Sequence, residues 1–214
     1  MPHVIVEDGE KIAYTTFGRG DGTPVLMIQG LGVDGRGWAL QRGQFGRSHR
    51  CIVPDNRGTG ASSKPPGPYD LVQMAQDAIQ VLDAVDIERA HSVGASMGGV
   101  IAQIDAILAM SDDMRFELPR LHVPTLVITG SQDTLTPLGD AEELAEFIPG
   151  AHLHVLAGAA HGLMAEAPGA FNRAVLSFIE QVDAVETDAT IVELPSLDLT
   201  AAEASEVRTR NATK

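Results

Sequence analysis

The sequence contains a single cysteine, Cys51, among its 214 residues. This excludes an intramolecular disulfide and fits a reducing compartment. The chain also lacks any uninterrupted apolar run of roughly 18 residues, so we expect no transmembrane helix. Its first residues lack the apolar segment of a signal peptide. These absences together predict a cytoplasmic protein that does not enter a membrane.

Basic residues are scarce as well: 15 Lys and Arg stand against 29 Asp and Glu, for a formal net charge of -14. Such a chain repels nucleic-acid phosphates and anionic lipid headgroups, so we expect neither as a partner. Aromatic residues make up only 4%, but hydrophobic residues reach 44%, enough for a sizeable core. At ~150 residues per domain, the length corresponds to one domain.

Short apolar runs alternate with helical patterns along most of the chain. Residues 3–7 and 11–17 predict a β-hairpin around Asp8-Gly9. The remaining patterns predict strands at 24–29, 50–54, 90–95, 123–129 and 152–156, and helices at 38–47, 70–86, 97–110, 142–148 and 171–182. This alternation is typical of an α/β fold, with a mostly parallel sheet flanked by helices.

The periodic pattern ends after Val185. We expect residues 1–185 to form the folded core. Residues 186–214 are rich in Thr, Ala, Glu and Ser and show no periodicity, so we expect them to form a mostly disordered acidic tail.

A candidate nucleophile lies in Gly94-Ala95-Ser96-Met97-Gly98, a G-x-S-x-G motif between a predicted strand and a predicted helix. That setting is the one a nucleophile elbow needs. The sharp turn strains the serine backbone, and bulky residues beside it would clash with the turn. The turn also places Ser96 at a helix N-terminus, whose N–H groups favour a developing oxyanion.

A serine nucleophile needs a general base and an acid that orients the base, and in elbow folds these follow the serine as acid and then histidine. His161 and Asp133 each follow a predicted strand, and so are expected at the carboxyl edge of the sheet. Asp112 and Asp113 are rival acids, but they follow no strand. The other histidines are expected to be structural or solvent-facing: His3, His49, His91, His122, His152 and His154.

With these residues in order, the chain resembles the α/β-hydrolase family, and most closely its small bacterial serine-esterase and haloperoxidase-like members. The resemblance covers about residues 3–182. It rests on the oxyanion strand and loop (25–32), the D-x-R-G-x-G-x-S turn (55–62), the elbow (93–99), the acid strand and loop (123–133) and the histidine loop (158–168).

The resemblance implies a role for each matching residue. Ser96 would be the nucleophile, His161 the general base and Asp133 the orienting acid. The backbone N–H groups of Leu31 and Met97 would form the oxyanion hole. A serine nucleophile disfavours the haloalkane-dehalogenase and epoxide-hydrolase branches, and the resemblance implies no cofactor and no metal.

The sequence departs from the family pattern at two places. Gln29 stands where the family often has histidine. In addition, only 36 residues separate Ser96 from Asp133, an interval that in the family usually holds the elbow helix, another strand and a cap domain. We therefore expect the cap and one core strand to be absent. The only substitute strand, 114–118, alternates with charged residues and suits a half-exposed position.

The short interval leaves three arrangements open. Strand 123–129 could occupy the position of the absent core strand in the sheet. That shift would move Asp133 and His161 by ~4.8 Å relative to Ser96. The position could stay empty, at the cost of unpaired strand edges. A partner chain could also fill it, by swapping or as a homodimer.

The sequence therefore predicts a serine hydrolase that cleaves small carboxylic esters through an acyl-enzyme. Lactones, thioesters and perhydrolysis would use the same machinery. One alternative is a catalytically impaired remnant or binding scaffold with the same fold. Another is dinucleotide binding, because Gly30, Gly32 and Gly35 form G-x-G-x-x-G after a strand and Asp55 ends the next strand. A poor following helix and a preceding hairpin argue against that reading.

Overall fold

The structure is a computed structural model that describes residues 1–110, 121 and 123–187. The chain divides into two compact units, Met1–Glu117 and Leu118–Lys214. The predicted strand at 114–118 and the predicted tail, apart from its first two residues, lie outside the described residues.

The first unit is built on a five-stranded sheet. Its strands are β1 (His3–Ile5), β2 (Lys11–Phe17), β3 (Gly22–Ile28), β4 (His49–Pro54) and β5 (His91–Gly94), in the spatial order β1-β2-β4-β3-β5. The predicted hairpin is confirmed, since β1 and β2 pair antiparallel, as do β2 and β4. β3 lies parallel to both β4 and β5. The loops that follow these three strands therefore leave from one edge of the sheet.

Helices flank this sheet. They are a 3₁₀ turn (Gly35–Trp38), α1 (Arg42–Ser48), α2 (Leu71–Asp83) and α3 (Met97–Met110). The single helix predicted at 38–47 is thus divided between the 3₁₀ turn and α1. The carboxylate of Asp70 accepts a hydrogen bond from the Val72 N–H, so Asp70 is the N-cap of α2.

The central strands bury side chains on both faces, which explains the continuous apolar run in β3. Leu26, Ile28 and Ile52 belong to one buried cluster with apolar residues of α2 and α3. Their neighbours along the strands, such as Met27 and Cys51, alternate to the opposite face and are also fully buried. The 3₁₀ turn lies close to that face, since a Cβ added to Gly35 would meet Val53 Cγ1 at 2.7 Å.

The second unit contains two parallel strands, β6 (Leu126–Gly130) and β7 (His152–Leu156). Its helices are α4 (Leu138–Phe147), α5 (Leu163–Glu166) and α6 (Pro168–Thr187). The helix predicted at 171–182 is confirmed within α6, and its apolar stripe is buried: Phe171, Val175, Phe178, Ile179 and Val182.

Prolines account for three of the boundaries that differ from the sequence prediction. β6 begins at Leu126 rather than 123, since Pro124 has no N–H to donate to a ladder. α4 begins at Leu138, directly after Pro137 and earlier than predicted. Pro168 opens α6, a position where its missing N–H costs no helical bond. The one-turn helix α5 has no counterpart in the sequence prediction.

Only 15 residues separate the end of α3 at Met110 from the start of β6 at Leu126. A cap domain of several dozen residues cannot fit in that interval. The chain therefore carries the core of its fold without a cap, as the short interval between Ser96 and Asp133 predicts.

Candidate active site

Ser96 occupies the sharp turn between β5 and α3. Its φ is 52°, in the left-handed region that residues other than glycine rarely adopt. The turn is closed by hydrogen bonds from the Gly98 N–H to the Ala95 carbonyl and from the Gly99 N–H to the Ser96 carbonyl, both 2.8 Å. Ser96 is an exposed residue. The strained serine predicted from the motif is therefore present.

The two glycines of the motif are required by close backbone packing. A Cβ added to Gly94 would overlap the carbonyl of Gly98, and one added to Gly98 would overlap the carbonyl of Ile28. The Ala95 N–H also donates to the Ile28 carbonyl at 3.0 Å. The serine turn is thus packed directly against the end of β3.

The loop that leaves β3 passes beside Ser96. A Cβ added to Gly30 would lie 3.2 Å from Ser96 Cβ and 3.1 Å from the Ala95 carbonyl oxygen. Within residues 1–110, none of the backbone hydrogen bonds outside helices and strands uses the N–H of Leu31 or Met97. Met97 is the first residue of α3, where an N–H has no acceptor within the helix. Both donors suggested for the oxyanion hole therefore lie in segments that adjoin Ser96.

Asp55 and Asn56, at the end of β4, hold this loop in place. Asp55 Oδ1 accepts from the Gly35 N–H at 2.8 Å, and Oδ2 accepts from the Ala61 N–H at 2.9 Å. The amide of Asn56 donates to the Gln29 carbonyl at 2.9 Å. The turn that starts at Asp55 was identified from the sequence as a family motif, but its hydrogen bonds to the loop after β3 were not predicted.

The same contacts argue against dinucleotide binding. In that motif the acidic residue must accept from a ribose hydroxyl, whereas both oxygens of Asp55 accept from backbone N–H groups and the residue is buried. Gly35 also begins a four-residue 3₁₀ turn rather than a phosphate-binding helix.

Arg57 anchors the turn to the rest of the first unit. Its guanidinium forms a two-pronged ion pair with Asp77 of α2, at 2.6 and 2.7 Å, and contacts Asp8 of the hairpin at 2.9 Å. Arg57 and Asp77 are both buried. The hydrogen bond to Asp77 raises the pKa of Arg57 above its ordinary value, so the cation is retained.

Asp133 and His161 meet in the second unit. Asp133 lies in the turn after β6 and His161 in the loop after β7. Asp133 Oδ2 is 2.8 Å from His161 Nδ1. The Asp133 side chain is 3% exposed and that of His161 is 32% exposed, so the acid is buried while the ring reaches solvent. The structure therefore brings together the two residues that the order along the chain predicts.

Hydrogen bonds keep Asp133 ionised. Burial by itself raises the pKa of this carboxyl. The opposing effects are larger: N–H donors from Thr136 and Leu135, the Thr136 hydroxyl and His161 lower the pKa to about 2. Thr136 was not identified from the sequence, although a hydroxyl three residues after a turn aspartate is a recognisable local signal.

The two loops are joined by hydrogen bonds. The Gln132 N–H donates to the Ala159 carbonyl at 2.8 Å, and the Gly158 N–H donates to Ser131 Oγ at 2.9 Å. A Cβ on Gly130 would overlap the Ala159 carbonyl. Small residues in both loops therefore permit the close approach that the hydrogen bond between Asp133 and His161 needs.

Several of the other histidines have packing contacts. His49 is buried, with Nδ1 2.9 Å from the Thr23 carbonyl, and its ring meets that of His91 edge-on. The ring of His152 packs against Phe178. His122 and the rival acids Asp112 and Asp113 lie outside the described residues.

Across the described ranges, no three His, Cys, Asp or Glu side chains are grouped closely enough to hold a metal ion. Among the helices of those same ranges, none has both the length and the apolar character that a bilayer crossing requires.

Comparison with known proteins agrees with the fold. A family model described as "alpha/beta hydrolase fold" matches residues 23–109, and one described as "TAP-like protein" matches residues 111–190. The non-heme chloroperoxidase of Burkholderia pyrrocinia is 33% identical over 100 residues, which cover 46% of this chain and 36% of that protein.

Two longer similarities extend over most of the chain. The 3-oxoadipate enol-lactonase 2 of Acinetobacter baylyi is 28% identical over 242 residues, covering 76% of this chain and 90% of that protein. That alignment is longer than the 214 residues of this chain, so the lactonase has segments that this chain lacks. The crystal structure of a hydrolase from Pseudomonas aeruginosa superposes with a TM-score of 0.74 at 27% identity, covering 83% of this chain and 97% of that one. The chain therefore has the α/β-hydrolase fold, in a form without a cap.

Proposed function

We propose that this protein is a serine hydrolase that cleaves carboxylic esters, including cyclic esters, through an acyl-enzyme. Ser96 is the nucleophile, His161 the general base and Asp133 the acid that orients it. The N–H groups of Leu31 and Met97 hold the oxyanion. No cofactor takes part.

The observation that carries the proposal is the hydrogen bond of 2.8 Å between Asp133 and His161. Because Asp133 is ionised at neutral pH, it can only accept, so Nδ1 of His161 carries the proton. In the neutral ring, Nε2 then has the lone pair that a general base needs. The strained backbone of Ser96, at the start of a helix, supports its role as the nucleophile.

The proposed reaction has two halves. Nε2 of His161 takes the Ser96 hydroxyl proton as Oγ attacks the ester carbonyl, and the oxyanion is held by the two N–H groups. The tetrahedral intermediate collapses when His161 returns the proton to the leaving alkoxide. Water then attacks the acyl-enzyme with the same base, which releases the acid and regenerates Ser96.

The similarity to an enol-lactonase and to a hydrolase supports this reaction class. An enol-lactone is a cyclic ester, so the same steps open it. The absence of a cap favours small or exposed esters, because a cap normally shapes the pocket and excludes water. The cytoplasmic location expected from the sequence stays a prediction.

The proposal requires Ser96 Oγ to reach His161 Nε2 to within ~3 Å. A second candidate is a protein that keeps the fold but has lost hydrolysis and serves as a binding scaffold. The 36-residue interval between Ser96 and Asp133 favours this candidate, since it removes segments that the longer lactonase retains.

Hydrolysis of p-nitrophenyl acetate and butyrate by the wild-type chain and by Ser96→Ala distinguishes the two. Ser92→Ala is the matched control, because Ser92 is an exposed serine of β5 outside the motif. We expect Ser96→Ala to lose about 10³-fold or more in rate and Ser92→Ala to match the wild type. A fluorophosphonate adduct located on Ser96 by peptide mass spectrometry gives a second readout. Equal rates in the wild type and Ser96→Ala would leave the scaffold as the function.

A further inference from the structure

The loop that carries His161 is bridged by the carboxylate of Glu166. Glu166 Oε2 accepts from the Ala160 N–H at 2.7 Å, and Oε1 accepts from the Gly162 N–H at 3.1 Å. These two N–H groups belong to the residues immediately before and after His161. One side chain therefore binds the backbone on both sides of the histidine.

The short helix α5 makes this bridge geometrically feasible. The Ala165 and Glu166 N–H groups both donate to the Gly162 carbonyl, at 2.7 and 2.9 Å, so the chain turns back within a single helical turn. A Cβ added to Gly162 would lie 3.0 Å from Glu166 Oε1. Glycine at 162 thus leaves the space in which the carboxylate sits.

We propose that Glu166 is a positioning residue for His161, acting through the loop backbone and not through the ring. With both flanking N–H groups bound, the loop has little freedom to carry Nδ1 away from Asp133. The Nδ1 atom is 2.8 Å from Asp133 Oδ2, so the carboxylate of Glu166 is not needed as its partner. The catalytic consequence rests on the proposed function, whereas the bridge itself does not.

The bridge requires the two acceptor oxygens of a carboxylate. A carboxylate offers two acceptor oxygens and serves both N–H groups, whereas a glutamine offers one acceptor and presents an NH₂ group to the other donor. Glu166→Gln should therefore lose one of the two hydrogen bonds to the loop, and Glu166→Ala should lose both. Glu180→Gln and Glu180→Ala are the matched controls, since Glu180 is an exposed glutamate of α6 in the same unit.

Amide hydrogen exchange followed by NMR tests the bridge without reference to activity. In the wild type, the amides of Ala160 and Gly162 should be protected. We expect Glu166→Ala to speed their exchange by at least about 10-fold, as for the loss of hydrogen bonds to a charged group. Both Glu180 variants should leave these rates unchanged. Circular dichroism and the melting temperature identify any variant that fails to fold, and Glu166→Gln then supplies the comparison. Unchanged exchange in folded Glu166→Gln and Glu166→Ala would overturn the proposal.

Two further readouts separate positioning from simple structural support. The downfield Nδ1 proton of His161 should be sharp in the wild type and broadened in the Glu166 variants. With an ester substrate, kcat should fall about 10-fold in Glu166→Ala while KM stays within twofold, because misplacing a catalytic group lowers the rate of the chemical step. A released loop with unchanged kcat in an active enzyme would refute the positioning role.

If the wild-type chain hydrolyses no ester, the proposed function is wrong, and the role of Glu166 is then tested by the NMR measurements alone. In that case, faster amide exchange together with a broadened His161 proton supports the positioning of the ring by Glu166. An unchanged proton signal contradicts it.

Discussion

Thr136 donates its hydroxyl to Asp133 Oδ2 at 2.8 Å, the same carboxylate oxygen that meets His161. The hydroxyl oxygen is also 3.3 Å from His161 Nδ1. Acid, histidine and threonine thus form one small network at the end of β6. The two N–H groups on Asp133 Oδ1 complete the set of contacts to the carboxylate.

Replacing Thr136 by valine should raise the pKa of Asp133 above its value of about 2. Valine keeps the branched shape and the backbone N–H but removes the hydroxyl donor. Loss of a hydrogen bond to a charged group corresponds to a rise of about one pKa unit. A carbon-13 NMR titration of the Asp133 carboxyl measures the change. Thr136→Ser retains the hydroxyl and should titrate like the wild type. The network has no influence on the acid if the valine and serine variants give the same curve.

Asp133 should also make stability depend on pH in acid. Its pKa in the folded chain, about 2, lies below the ordinary value of 3.8, so the folded state binds the proton less readily than the unfolded state. The resulting stabilisation is fully present above about pH 4 and is lost as the pH falls through 2. It amounts to about 2 kcal/mol. Urea unfolding between pH 2 and 6 should show a steeper decline for the wild type than for Asp133→Asn.

Asp140→Asn provides the control for that series, because Asp140 is an exposed carboxylate of α4. Its unfolding curve should fall in parallel with the wild type. A decline in Asp133→Asn as steep as that of the wild type would show that Asp133 does not carry the acid dependence.

Gly98→Ala should destabilise the first unit strongly, since the new Cβ would overlap the Ile28 carbonyl. Backbone cannot move aside as a flexible side chain can, and we expect a loss of about 2 kcal/mol or more. Gly99→Ala is the matched control, because its Cβ would meet Gly94 only at ordinary contact distance, 3.7 Å. That change should be neutral or slightly stabilising, as alanine favours the helix. Urea unfolding compares the two, and equal stability would contradict the packing of the serine turn.

Arg57→Met should cost about 3–5 kcal/mol of unfolding free energy, because it leaves the carboxylate of Asp77 buried without its cation. The double variant Arg57→Met with Asp77→Leu should recover much of that loss. Arg36→Met removes a partner of Asp34 in a pair whose arginine is 91% exposed, and should lower the stability far less than Arg57→Met does. Denaturant unfolding of the four proteins is the measurement. Similar losses of unfolding free energy for Arg36→Met and Arg57→Met would contradict the prediction that the buried pair contributes more than the exposed one.

Local patterns in the sequence were sufficient to predict most of the helices and strands. The apolar run in β3, the N-cap at Asp70 and the stripe of α6 all depend on residues close together in the chain. The elbow at Ser96 could be predicted for the same reason, since glycine and serine at that spacing suit a strained turn. The order of Asp133 and His161, each after a strand, was enough to predict their hydrogen bond.

Contacts between distant residues could not be predicted in this way. The order β1-β2-β4-β3-β5 places β4 between two strands that precede it in sequence. Asp55 bonds Gly35 across 20 positions, and Thr136 comes within 3.3 Å of His161 across 25 positions.

The sequence by itself therefore determined most of the elements, the serine turn and the positions of Asp133 and His161 directly after their strands, because these depend on periodicity and on local turn chemistry. The tertiary structure alone decided which side chains hold the loop after β3, what keeps Asp133 ionised and what secures the loop of His161. The loop after β3 is held by hydrogen bonds between segments far apart in the chain. The donors from Leu135 and Thr136 to Asp133 and the contacts of Glu166 join residues close in sequence, but their geometry depends on how each loop folds.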